Sequence, residues 1–302
     1  MTRSNGPISL GLASHVLAGL FPFLAATVIS RLGLLPATAW IYGIGAVVLL
    51  AALGVGRWRR TFIAESRAVW TSPFRWPVVA GLAGFLIAGV AYYTGLARSP
   101  LVAEYVFITR LDWILQAPFA ILVLRESWTR QGLAGGLIAL TGGVMLSWTG
   151  SVGASGLTAA MIYIVASLAG YTGFKPVAAA RGARGAVTLT VWRHWINAVG
   201  FAALVMVLGP RAAVHDTAGL WLAAAGAVVI FALFLLRFSA LTGLPLWVLS
   251  VQAPVQAFVA ILLTFLSGAT LPVQTVIAIG LIVTGECLVA LGEAQRVPCT
   301  PS

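Results

Sequence analysis

Long apolar runs without a single charge dominate this chain. Between Gln131 and Phe174 lie 44 consecutive residues with no Asp, Glu, Lys or Arg, and between Phe238 and Gly285 lie 48 more. As one helix, either run would be about 65–70 Å long at 1.5 Å per residue, roughly twice the hydrocarbon thickness of a bilayer. Each therefore predicts two crossings joined by a tight turn. Turn-forming residues stand where they are needed, SVGASG at 151–156 and SGATLP at 267–272. Apolar windows of about 20 residues predict ten spans, near 7–30, 33–55, 76–97, 100–124, 128–150, 156–180, 187–209, 219–241, 243–267 and 270–292. Segment 56–75, with five arginines and one Glu, reads as the only sizeable loop.

Composition agrees and excludes a soluble domain. Charged residues make up 8% of the chain and mean hydropathy is +1.01, against roughly 25% charged in soluble domains. The net charge of +11 does not indicate nucleic acid, because the basic residues fall between apolar spans and form no patch interleaved with aromatics. Their distribution predicts orientation instead. With the N-terminus in the cytoplasm, Arg3, Arg57, Arg59, Arg60, Arg67, Arg75, Arg125, Arg130, Lys175, Arg181, Arg184, Arg237 and Arg296 fall inside. Only Arg31, Arg98 and Arg211 fall outside. Both termini are expected in the cytoplasm, and the protein in the cytoplasmic (inner) membrane. The first span is too long for a signal-peptide core and is expected to be retained. Cys287, within a span, and Cys299, in the tail, are read as inert thiols.

The two halves of the chain align without gaps at an offset of 143 residues. LIALTG at 137–142 overlays GLIVTG at 280–285, Gln131 falls on Gln274, Leu101 on Leu244 and Ala97 on Ala240. Five spans per repeat is an odd number, so the second repeat is expected upside down relative to the first, the architecture of many secondary transporters. The expected fold is an all-α polytopic membrane protein with ten transmembrane helices in two inverted five-helix repeats, 1–151 and 152–302.

The stretches AYYTGLARSP at 91–100, LRESW at 124–128 and QGLAGGLIALTGGVML at 131–146 resemble an EamA-type module of the drug/metabolite transporter superfamily. The stretch from FLLRFSALTG to LIVTGECLVA resembles a second, more degenerate one. The resemblance covers nearly the whole chain. It implies an exporter of small metabolites with a central cavity lined mainly by spans 1, 3, 4, 6, 8 and 9. The chain departs from the pattern where members commonly carry a mid-span proline in span 4. Leu111 and Asp112 stand there, while Pro254 occupies the corresponding region of span 9.

Candidate chemistry concentrates in span 4. Arg110 and Asp112 lie at its midpoint, where a charge costs on the order of 2.5–3.5 kcal/mol on insertion scales. Two residues apart, they point about 160° from each other and cannot pair directly. Glu104, Asp112 and Gln116 share one polar face, whereas Arg110 lies with Trp113. Two readings stand open: Asp112 and Glu104 meet a substrate cation or proton while Arg110 meets a carboxylate, or all three form a structural ion-pair network. In span 9, Gln252 and Gln256 are i,i+4 neighbours that either face substrate or hold helices together.

Among the aromatics, Trp40, Tyr42, Tyr92, Tyr93, Trp113, Tyr163, Tyr171 and Trp247 are candidates for an apolar pocket with polar tips. Tyr92 and Tyr163 are favoured because the resemblance implies that their spans line the cavity. Arg193, flanked by Trp192 and Trp195, reads as a snorkelling residue in an aromatic belt. Lys175 and Arg237 read the same way, and His15, His194 and Asn197 as packing polar groups. Glu286 falls in span 10, peripheral in the resembled fold, and reads as a structural or interface residue.

No phosphate loop, HExxH, GxSxG or CxxC is present, so no cofactor or metal is expected. The expected function is export of small amphipathic metabolites, amino acids or similar, by alternating access. Proton coupling through Asp112 or Glu104 is open, as is the choice of monomer or homodimer. The alternative is a membrane-embedded enzyme acting on a lipid-linked or small substrate.

Overall fold

The computed structural model describes residues 6–71, 73–99, 102–109, 112, 119, 129–148, 153–209, 216–244, 246, 249, 253–268 and 272–294. Among them every regular element is a helix: α1 Gly6–Leu32, α2 Leu34–Leu53, α3 Gly56–Trp70, α4 Arg75–Arg98, α5 Val102–Thr109, α6 Arg130–Trp148, α7 Ala154–Leu208, α8 Thr217–Leu241, α9 Ala253–Leu266 and α10 Val273–Ala294. Five of these, α1, α2, α4, α7 and α8, contain a segment long and apolar enough to cross a membrane. The outer surface is correspondingly apolar. Met206, Val207, Trp221 and Val228 are all exposed, a surface suited to lipid rather than water. The chain is thus an α-helical protein built for embedding in a membrane.

α7 is two helices joined without a loop. Gly182 sits within it at φ 57°, ψ −148°, a left-handed conformation that a glycine tolerates at no steric cost. Contacts with α4 show what this does to the chain. Gly81, Gly84 and Tyr92 meet Phe174, Ala166 and Tyr163, in falling order along α7. Phe85, Gly89 and Tyr93 meet Arg193, Asn197 and Phe201, in rising order. The limbs 154–181 and 183–208 are therefore antiparallel and both flank α4. Each is about 40 Å long. Sequence windows placed spans at 156–180 and 187–209; the structure replaces the gap between them with a reversal at one residue.

Glycines let these helices approach. A Cβ at Gly84 would lie 2.6 Å from the Ala166 carbonyl oxygen, so any side chain there would force α4 and α7 apart. In a membrane, where lipid is as apolar as leucine, such backbone proximity and its dispersion contacts hold helices together.

The pair α6 and α10 uses the same device reciprocally. A Cβ at Gly142 would lie 2.6 Å from the Ala278 carbonyl oxygen and 2.9 Å from Ile282, while one at Gly285 would clash with the Gly135 carbonyl and Ala139. Residues 135, 139 and 142 of α6 stand 143 positions before 278, 282 and 285 of α10, so each helix presents equivalent positions to the other.

Segment 56–75 departs from its sequence reading as a loop. Residues 56–70 form α3, whose stripe Phe62, Glu65, Ser66 and Val69 faces α7 at helical spacing. Phe62 stacks on Trp192 and packs edge-on to Trp195, Trp192 Nε1 donates to Ser66 Oγ at 3.2 Å, and Arg181 donates to Glu65. Trp58, Arg59, Arg60 and Arg67 remain exposed. A second ion pair, Arg31 to Asp216 at 3.3 Å, joins the end of α1 to the start of α8.

Candidate binding site

Near the centre of the bundle, six helical segments leave a cavity of about 50 Å3. Such a volume holds a few waters or one small polar group. Its walls come from both halves of the sequence. α1 contributes Ala18 and Phe21, α2 Tyr42, and α4 Phe85, Tyr92 and Tyr93. The first limb of α7 contributes Tyr163, Ser167 and Tyr171, the second limb Arg193, and α8 Phe234 and Arg237. A larger groove of about 880 Å3, lined by Leu86, Val90, Ile162 and Leu204 among others, opens between α4 and both limbs of α7.

Aromatic rings make up most of the inner wall. Tyr92 and Tyr163 lie 5.3 Å apart by ring centroid, and Tyr93 packs edge-on to Tyr42, Phe21 and Phe201. Phe85 contacts Tyr171, Phe174, Phe234 and Phe238. Such pairs add about 0.5–1.5 kcal/mol each beyond area burial, so this part of the bundle is a rigid frame.

Two arginines stand inside that frame. Arg193 is 5% exposed and Arg237 4%, so neither snorkels to the bilayer surface as the sequence reading had them. The Arg193 guanidinium stacks 3.2 Å from the Phe234 ring centroid and also faces Phe85 and Tyr42 at 5.3 and 5.9 Å. Arg237 lies 5.9 Å from the same Phe234 centroid and 5.8 Å from that of Tyr171. Desolvated cation–π contacts are worth about 2 kcal/mol or more, comparable to the insertion cost of a mid-membrane charge. Arg193 Nη2 donates to Tyr42 Oη at 3.4 Å and Arg237 Nη1 to Tyr171 Oη at 2.7 Å.

Of the residues singled out from sequence, Tyr92 and Tyr163 line the cavity, as do Tyr42, Tyr93 and Tyr171. Asp112 is buried, and its Oδ2 accepts from Ser167 Oγ at 3.5 Å, which places it behind one cavity wall. Glu104 is buried elsewhere. Its Oε1 accepts from Thr275 Oγ1 of α10 at 3.1 Å, and it does not border the cavity. Gln256 is fully buried in α9, whose backbone meets Gly19 of α1, and it too lies off the cavity. Trp40 is exposed. Arg110, Trp113, Gln116, Trp247 and Gln252 fall outside the described residues, as does the side chain of Glu286.

The packing residues keep their sequence roles. His15 Nε2 bonds the Leu249 carbonyl at 2.8 Å, His194 Nε2 bonds that of Tyr42 at 3.1 Å, and Asn197 Nδ2 donates to the Arg193 carbonyl. Lys175 does not snorkel. Its Nζ donates to the carbonyls of Leu241 and Leu244, tying α7 to the C-terminal end of α8, where a cation is favoured.

No family model and no curated protein matches the chain. Among solved structures, one crystal structure of a protein matches 98% of this chain and 100% of its own length, with a TM-score of 0.69 at 22% identity. At that identity the likeness shows a shared fold.

Proposed function

We propose that this chain is a secondary transporter of small amphipathic metabolites in the cytoplasmic membrane, with an EamA-type fold of ten spans in two inverted repeats, 1–151 and 152–302. The observation that carries the reading is the central cavity. It is small and polar-tipped, it is walled by helices from both halves of the sequence, and it holds charges a membrane bundle would otherwise exclude. The packing of Gly142 on Ala278 and Ile282, matched by that of Gly285 on Gly135 and Ala139 at equivalent positions, supports the repeat. Both termini are then cytoplasmic.

Alternating access follows from such an arrangement when the two repeats rock about a midplane site. Asp112, buried beside Ser167, is the acid placed to carry a proton to that site. The test is movement of solutes into and out of proteoliposomes under an imposed pH gradient with membrane potential clamped. Gradient-driven accumulation that disappears in Asp112→Asn is the expected result. Downhill movement insensitive to pH reduces the protein to a facilitator. Turnover of a substrate with no movement of any solute overturns the reading.

A further inference from the structure

Resting on the transporter reading, we infer that the central cavity selects an organic anion. The carboxylate docks on Arg193 and Arg237, and the apolar body lies along the aromatic wall.

The argument begins with charge. Both guanidiniums border the one cavity and flank the same ring, Phe234. Arginine cannot shed its proton to escape burial, so each charge needs compensation. Their hydrogen-bond partners are the hydroxyls of Tyr42 and Tyr171, and among the described residues neither arginine has a carboxylate partner. Donor capacity is left over: Arg193 Nε, Arg237 Nε and Arg237 Nη2 are buried with no acceptor among the described residues. Asp112, reached through Ser167, is the one described acid beside this wall, a single negative charge against two positive ones. An incoming anion supplies the missing charge and the missing acceptors together.

Shape narrows the class. Planar guanidiniums with spare N–H groups match the two oxygens of a carboxylate. The cavity as it stands suits the carboxylate alone; the remaining wall of Phe85, Tyr92 and Tyr163 is aromatic, and the apolar body takes its place along that wall as the rocking repeats widen the cavity. A phosphate dianion would place three charged oxygens against that apolar surface.

Three probes with a common ring separate the possibilities: phenylacetate, phenylalanine and phenethylamine, each offered to wild-type protein in proteoliposomes, with inorganic phosphate as competitor. Saturable phenylacetate uptake, weak phenylalanine uptake and no phenethylamine uptake are expected, with phosphate a poor competitor. Arg237→Gln should lower phenylacetate uptake by about thirty-fold or more, and Arg237→Lys should recover part of it. Tyr171→Phe removes only the hydroxyl that orients Arg237 and should raise KM while sparing the fold, so the test survives if Arg237→Gln does not fold. Preferred movement of phenylalanine or phenethylamine, unchanged by these variants, overturns the anion assignment and leaves the transporter reading standing. Strong competition by phosphate with no phenylacetate uptake overturns the carboxylate class. Failure to move any probe or other solute overturns the transporter reading itself.

Discussion

Arg181 donates from both Nε and Nη2 to one carboxylate oxygen of Glu65, at 3.0 and 2.9 Å, one residue before the chain reverses at Gly182. The pair pins α3 to the reversal point, and Glu65 is nearly buried while Arg181 is about one-third exposed. Charge-assisted bonds of this kind contribute about 1.5–3 kcal/mol when shielded, less with this exposure. Glu65→Ala should lower the thermal midpoint by a few degrees in detergent. Glu65→Ala combined with Arg181→Ala should cost less than the sum of the single changes. Additive losses would show that the two side chains do not interact.

The α6–α10 contact predicts a position-specific glycine requirement. Gly142→Val and Gly285→Val each place atoms against facing backbone and should destabilise by about 1–3 kcal/mol. Gly280→Val is the control, since a Cβ there meets nothing within 4 Å. Equal effects at Gly280 and Gly285 would remove the contact as the cause.

Asp216 caps α8 by accepting from the Gly219 backbone N–H at 2.9 Å. That bond first, and then Arg31, hold its carboxyl below the ordinary 3.8. The folded state thus binds the proton less readily than the unfolded chain. The cap's contribution is fully present above the ordinary value and is lost as pH falls through the folded one. Thermal midpoints of wild type should therefore fall on acidification below 3.8 more steeply than those of Asp216→Asn, since Asn caps comparably without a charge. Parallel profiles would exclude Asp216 as the titrating group.

Orientation is open to labelling. In a Cys287→Ser, Cys299→Ser background, Ser155→Cys and Arg211→Cys should react with an impermeant external thiol reagent, and Arg59→Cys should not. The reverse pattern would turn the protein over in the membrane.

The apolar skeleton was legible in the sequence because charge-free runs twice a bilayer in length permit few foldings, and α1, α2, α4, α6, α8 and α10 fall where the windows placed them. α3 was not legible, because its stripe is short and carries Glu65 and Ser66, whose partners Arg181 and Trp192 lie more than a hundred residues away. Arg193 was misread from its neighbours. Trp192 and Trp195 do form an aromatic surface, but against Phe62 and Trp70 of α3. At 100° per residue, Arg193 turns away from them and shares a face with Asn197 and Phe201, all three buried. That i, i+4, i+8 row was present in the sequence and outweighs the adjacent tryptophans. Arg237 likewise sits a full turn before the end of α8, too deep to reach water.

The reversal at Gly182 bears on how the protein is made. Consecutive helices of a bundle are usually joined by a connection of about 2–8 residues. Residues 154–208 offer none, since one glycine separates the limbs and both already pack on α4. On the ten-span reading proposed above, the segment enters the membrane as a single hairpin. Its bend is set by a residue with no side chain, and on the same reading Arg181 and Arg184 on either side of that bend keep it at the cytoplasmic face.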